Sequence, residues 1–113
     1  MPKKRMLLEI GMGNDLHGGD YTKAAARAVL DAVHHSSLNF VRALGLSWDE
    51  IQIQITVGVQ DPDAVDAEKV KATLPSGRVS VKAVKGGLDV KDPGADDRAV
   101  IATASVEVFA ELP

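Results

Sequence analysis

The sequence predicts an α+β fold: a two-layer sandwich of order β-α-β-α-β-β, with one four-stranded mixed sheet carrying helices on one face. Three observations lead there. Ile51 to Gln60 alternates Ile51, Ile53, Ile55, Val57 and Val59 with Gln52, Gln54, Thr56, Gly58 and Gln60, the period-two signature of a strand with one covered face. Arg98 to Ala110 repeats the pattern, with Val100, Ala102, Ala104, Val106 and Val108 in phase. Tyr21 to His35 instead brings Thr22, Ala25, Ala26, Val29, Leu30 and Val33 to one side at helical spacing.

The remaining elements follow in chain order. Arg5 to Ile10 is mostly apolar and predicts a strand ending at Gly11-Met12-Gly13. A loop, Asn14 to Gly19, leads to Asp20, whose carboxylate suits the N-cap of the helix from Tyr21. On that helix Asp31 stands four residues after Arg27, where the two can pair. Ser36-Ser37 interrupts it, and Leu38 to Leu44 predicts a further turn or two, stopped by Gly45. Asp61-Pro62-Asp63 ends the Ile51 strand. A short helix starts at Asp66, with Val65 and Val70 as its hydrophobic staple, and stops before the turn signal Pro75-Ser76-Gly77. Arg78 to Val84 alternates again, and Gly86-Gly87 with Asp89 to Asp97 predicts an acidic loop before the last strand.

At 113 residues the chain has room for one core, so residues 1–113 form a single domain. Aromatic residues make up 4%, against 15 Ala and 14 Val, so the core is built from small aliphatic side chains. Little area per core residue makes self-association a natural supplement. Net charge of −3 and a pI near 5.5 give no field that would draw nucleic acid or an anionic membrane. No apolar run reaches the ~18–20 residues of a membrane helix. The basic run Lys3-Lys4-Arg5 reads as a solubilising terminus, since no h-region of a signal peptide follows it. Zero cysteines remove disulfides and thiolate metal ligands and suit a reducing cytoplasm, the expected location.

The face of the sheet away from the helices is expected to show Glu9, Gln52, Gln54, Thr56, Ser80, Lys82, Thr103, Ser105 and Glu107. A solvated outer face is one reading. The excess of uncharged hydrogen-bonding side chains over Lys and Glu favours another, a wet sheet-to-sheet contact in a homo-oligomer.

The candidate chemistry is concentrated in Gly11-Met12-Gly13-Asn14-Asp15-Leu16-His17-Gly18-Gly19-Asp20. Glycine permits positive φ and close backbone approach, and the stretch runs into a helix N-terminus, which favours anions. A dinucleotide fingerprint would need a third glycine where Leu16 stands, and no Gly-Lys-Ser/Thr follows for a P-loop. Asp15 and His17 are close enough to meet: a hydrogen-bonded carboxylate would fix the imidazole tautomer and make His17 a general base. Alternatively, Asp15 caps a turn and His17 closes the loop. A metal would draw on Asp15, His17 and either Glu9 or Asp20. The adjacent His34 and His35 diverge by roughly 100° on a helix and are poorly placed to share one. Neither a cofactor nor a metal is specified by the pattern.

The string Gly11-x-Gly13-x-Asp15-x-His17-Gly18 resembles the hallmark of a small family of conserved hypothetical proteins found in bacteria and, with a long prefix, in plants. The resemblance extends over nearly the whole chain, including Thr22-Lys23-Ala24-Ala25 and His35-Ser36, and it implies no activity. More loosely, the predicted architecture is similar to that of small trimeric proteins such as the RidA-like imine deaminases and chorismate mutase-like proteins. That likeness implies a homo-oligomer, a trimer first, and no substrate. Two functions are therefore expected. In the first, an enzyme holds the anionic end of a small polar metabolite on the N–H groups at Gly18, Gly19 and Asp20, with Gly11 and Gly13 shaping the loop. Lys23 supplies the counter-charge, His17 acts as acid and base, and Asp15 orients it. In the second, the chain is a non-catalytic oligomeric binding or structural protein whose glycine-rich loop serves assembly.

Overall fold

The last alternating stretch becomes the middle of the sheet. In the computed structural model, which describes residues 3–35, 45, 47–74 and 78–111, β5 (Arg98–Glu111) pairs antiparallel with β1 (Lys3–Asp15) along one side. Along its other side it pairs with β2 (Ile51–Val59) and, further on, with β4 (Leu88–Lys91). Parallel to β2 runs β3 (Arg78–Lys85), the outer strand. Helices α1 (Tyr21–His35) and α2 (Ala67–Lys71) lie on one face. The class is α+β, but the described sheet has five strands where four were expected. The fifth, β4, lies in the stretch read as acidic loop: Leu88 and Val90 alternate over only four residues, too few for periodicity to register.

Glycines explain how β4 comes to sit in line with β2. After Lys85 the chain leaves its outer lane and enters the lane that β2 vacates at Val59. Gly86 N–H donates to Val59 O at 2.9 Å, and Gly87 turns with φ +64°. A Cβ on Gly87 would lie 2.1 Å from Ile101 O, one on Gly58 would lie 3.4 Å from Gly86 Cα, and one on Gly86 would lie 3.3 Å from Gly58 Cα. The crossing has no room for a side chain.

The first strand also departs from expectation. It runs past Ile10 to Asp15, and Gly11 and Gly13 are strand residues, not loop residues. Helix α1 rests directly on them: a Cβ would come 2.3 Å from Ala32 N at Gly11 and 2.4 Å from Ala28 N at Gly13. The helix therefore presents its smallest row, Ala24, Ala28 and Ala32, together with Ala25 and Val29, all fully buried. This turns the buried face from the one expected. Thr22, Ala26 and Val33 are half-buried and Leu30 is exposed.

Beneath α1 lie the predicted inward rows of β2 (Ile51, Ile53, Ile55, Val57, Val59) and β5 (Val100, Ala102, Ala104, Val106, Val108), every one buried. Val70 of α2 closes the far end, and Asp66 caps that helix by accepting from Glu68 and Lys69 N–H. Asp31 accepts the Met12 N–H at 2.9 Å.

On the open face, the expected Gln52, Gln54, Thr56, Ser80, Lys82, Thr103, Ser105 and Glu107 are in place, but Glu9 is not. A register shift between Arg5 and Leu7 changes the phase of β1, so Glu9 sits opposite Val106 on the helix side. Leu8, Ile10 and Met12 turn outward instead, and Leu88 and Val90 of β4 join them, each between 42% and 65% exposed. The face is part apolar, where only polar residues were expected.

The predicted helix at Leu38 to Leu44, the Ser36-Ser37 break, the Pro75-Ser76-Gly77 turn and the side chains of His35 and Trp48 fall outside the described residues. Among those described, no helix is long and apolar enough to cross a membrane.

Candidate functional site

One end of the sheet gathers the end of β1, the start of α1 and the β4–β5 hairpin. Asp15, the last residue of β1, is the one buried charged residue described. Its Oδ2 accepts the Asp20 N–H at 3.0 Å, and its Oδ1 lies 3.7 Å from Arg27 Nη1 and 4.0 Å from Lys23 Nζ. Arg27 also donates to Asn14 O at 2.7 Å. Asp20 caps α1 as expected, its Oδ1 accepting the Lys23 N–H at 3.0 Å. Gly18 and Gly19 adopt φ +94° and +61°, left-handed conformations that let five residues join strand to helix.

The Asp15–His17 pairing expected from the sequence is not the one the fold makes. The carboxylate beside His17 belongs to Asp97, whose Oδ2 lies 3.4 Å from His17 Nδ1. Asp97 Oδ1 also accepts the N–H groups of Gly18 at 3.1 Å and Arg98 at 2.8 Å. Those donors, led by Gly18, hold its carboxyl below the usual Asp range, with the imidazole adding to the effect. The His17 side chain is itself 85% exposed.

The N–H groups of the loop are thus partly engaged: Gly18 N–H donates a hydrogen bond to Asp97 and Asp20 N–H donates one to Asp15. The anions at this helix end are the protein's own carboxylates. Positive charge that faces outward comes instead from the hairpin, where Lys91 and Arg98 stand directly opposite each other across the β4–β5 ladder. Together with Gly18, Gly19, Asp96 and Asp97 they line a cleft of about 200 Å³. Arg98 lies 5.3 Å from the ring centroid of Tyr21 and 3.8 Å from Asp89 Oδ2, which also accepts the Tyr21 hydroxyl at 2.5 Å. Asp89 Oδ1 is buried with no hydrogen-bond partner among the described residues. Sequence reasoning missed Lys91, Asp97, Arg98 and the Tyr21–Asp89 bond. The one available signal was the Asp96-Asp97-Arg98 run where the supposed loop meets the last strand.

Of the residues nominated from the motif, His17, Gly18, Gly19 and Asp20 sit at this end, with Lys23 and Asp15 just behind. Gly11 and Gly13 lie under α1, away from the cleft. Glu9 is six residues up the strand from Asp15, roughly 20 Å away at strand rise, which removes it from a shared metal site. Among the described residues no group of three His, Asp or Glu side chains converges to hold an ion. A second cleft, about 290 Å³, lies at the other end of the sheet beside Lys3, Asp49, Glu50 and Arg78 and contains none of the motif residues.

Fold and site together define a small α+β protein whose motif loop is clamped to a strand hairpin. The chain belongs to the family described as "Conserved hypothetical protein (Lin0512_fam)", whose model matches residues 5–108. It is similar to an FtsZ-like protein of unknown function from Nostoc punctiforme, known from its crystal structure, with 38% identity and a TM-score of 0.86 over 99% of both chains. No curated protein matches the chain.

Proposed function

We propose that the chain binds a small anionic metabolite in the cleft between Gly18-Gly19 and the β4–β5 hairpin, and that His17 exchanges a proton with it. One observation carries the reading: Lys91 and Arg98 face each other across the ladder at the cleft wall. Like charges directly opposite on a sheet repel, and an anion between them converts that repulsion into attraction. Arg98 is partly neutralised by Asp89 at 3.8 Å, whereas the Lys91 side chain makes no ion pair or hydrogen bond among the described residues. A cleft of about 200 Å³ is below the ~300–1,000 Å³ of drug-sized sites, so the ligand is small, with one carboxylate or phosphate. His17 adjoins Gly18 and is hydrogen-bonded to Asp97, two wall residues. Asp97 takes the orienting part first given to Asp15, which instead holds the loop to α1.

The exposure of His17 favours a second reading, binding without turnover, because an imidazole open to water has no privileged proton partner. Thermal melting with inorganic phosphate, acetate and succinate tests the first. Saturation at 100 times Kd adds about 2.7 kcal/mol, a shift of roughly 10 °C for a domain this size. Lys91→Ala is expected to remove the shift and His17→Ala to keep it. If no anion moves the wild-type melting temperature, the cleft is not an anion site. NMR of the His17 ring during the same titration separates the two readings: ring signals that do not respond leave binding alone.

A further inference from the structure

We propose that the open face of the sheet is covered by a second copy of this chain. The inference concerns a different surface from the cleft and does not depend on it. Leu8, Ile10 and Met12 of β1 and Leu88 and Val90 of β4 present their side chains on that face, Ile10 at 65% exposure. In register beside them are Ile101, Thr103, Ser105 and Phe109 of β5, then Gln52, Gln54 and Thr56 of β2. A contiguous apolar band next to a polar one, with no second layer above it among the described residues, is the pattern of an interaction surface.

Three features point to a like partner. The first is charge. Arg5 and Glu107, both on this face, neutralise each other at 3.3 Å, Lys3 stands opposite Glu111, Arg78 and Lys82 lie along the β3 rim, and most of the remaining polar groups are amides and hydroxyls. Each of these both donates and accepts, so the surface is complementary to itself, as an isologous contact requires.

The second is area. Four lanes at ~4.8 Å, the outer one of 8 residues and the central one of 14, at ~3.4 Å per residue give on the order of 800 Å². A standard interface buries ~800 Å² per partner.

The third is the state of the edges. Along β1 the edge begins with Lys3, Lys4 and Arg5, while Met12 N–H and Asn14 O are bonded to Asp31 and Arg27 of α1. The other edge, β3, carries Arg78, Lys82 and Lys85. Basic residues and covering side chains block edge-to-edge growth of the sheet, which leaves the face as the route to association.

The test is the solution mass of the full chain by light scattering and sedimentation. Wild type is expected at two or more multiples of 11.9 kDa. Ile10→Lys, at an exposed position, is expected to raise the dissociation constant roughly 30-fold or more with an unchanged far-ultraviolet spectrum. The absence of cysteine makes single-thiol cross-linking clean: Ser105→Cys, on the face, is expected to give a covalent dimer with a short bis-maleimide, and Glu68→Cys, on α2, is not. A wild-type monomer at every concentration overturns the proposal. So does an Ile10→Lys protein that folds and keeps the wild-type mass, or cross-linking of Glu68→Cys as efficient as that of Ser105→Cys. Should Ile10→Lys fail to fold, the cross-linking pair decides.

Discussion

Tyr21 is the chain's one tyrosine, and it is buried between α1 and the hairpin with Arg98 over its ring. Its hydrogen bond to Asp89, then its burial, push the phenol above the ordinary 10.0. A raised acid favours the neutral form, so this contribution to stability is full below pH 10 and is lost as pH rises through the raised value. Near-ultraviolet titration of the folded protein is expected to show a tyrosinate midpoint above 10.0, moving back towards it in Asp89→Asn. A wild-type midpoint at 10.0 or lower would sink this assignment. Asp97 works in the opposite direction. Its carboxyl is lowered from 3.8 by the Gly18 and Arg98 N–H groups and by His17, so what it contributes is present above pH 3.8 and disappears as pH falls towards the lowered value. Melting curves of Asp97→Asn are expected to lie below wild type at neutral pH and to converge with it in acid; parallel curves would mean the clamp carries no pH dependence. At this scale the sequence singled out the loop and hid its partners. Asp15 and His17 are two positions apart and invited pairing, whereas Asp97 stands 80 positions from His17 and becomes its neighbour only through the β1–β5 ladder.

At the scale of elements, Gly13 decides how α1 sits. A methyl group there meets helix backbone at 2.4 Å, an obstacle that cannot rotate away as a side chain would. Gly13→Ala is therefore expected to destabilise by about 2–3 kcal/mol, read as a fall of roughly 10–20 °C in Tm. An unchanged Tm would mean the helix slides at no cost. β2, β3, α1 and β5 were legible because each repeats its own period over enough residues, and the five-residue α2 through its Asp66 cap and the Val65/Val70 staple. The extension of β1 was not, because glycine breaks the hydropathy pattern even where the backbone stays extended. A usable clue was present: glycines at i and i+2 on β1 against alanines at Ala24, Ala28 and Ala32 describe a strand and a helix approaching to backbone contact. β4 was hidden for a different reason, since its four residues are ordered by β5 and by the crossing at Gly86-Gly87.

Across the whole molecule, the two occupants of one lane differ in support. β2 is bonded on both sides, by β5 and β3, whereas β4 is paired to β5. Amide exchange in Leu88–Lys91 is expected to be faster than in Ile53–Val57 by several orders of magnitude, as local opening separates from global unfolding. Equal protection would show that the hairpin and the body of the sheet open as one. The central place of β5 has a consequence for synthesis. Its ladder with β1 pairs Glu111 with Lys3, a separation of 108 positions (111 minus 3). A ribosome therefore releases β1, β2 and β4 before the strand that unites them exists. Closing loops of that size is slow. Until Arg98–Glu111 emerges, the nascent chain carries the isoleucines of β2 without their antiparallel neighbour, the kind of exposed apolar strand on which aggregation starts.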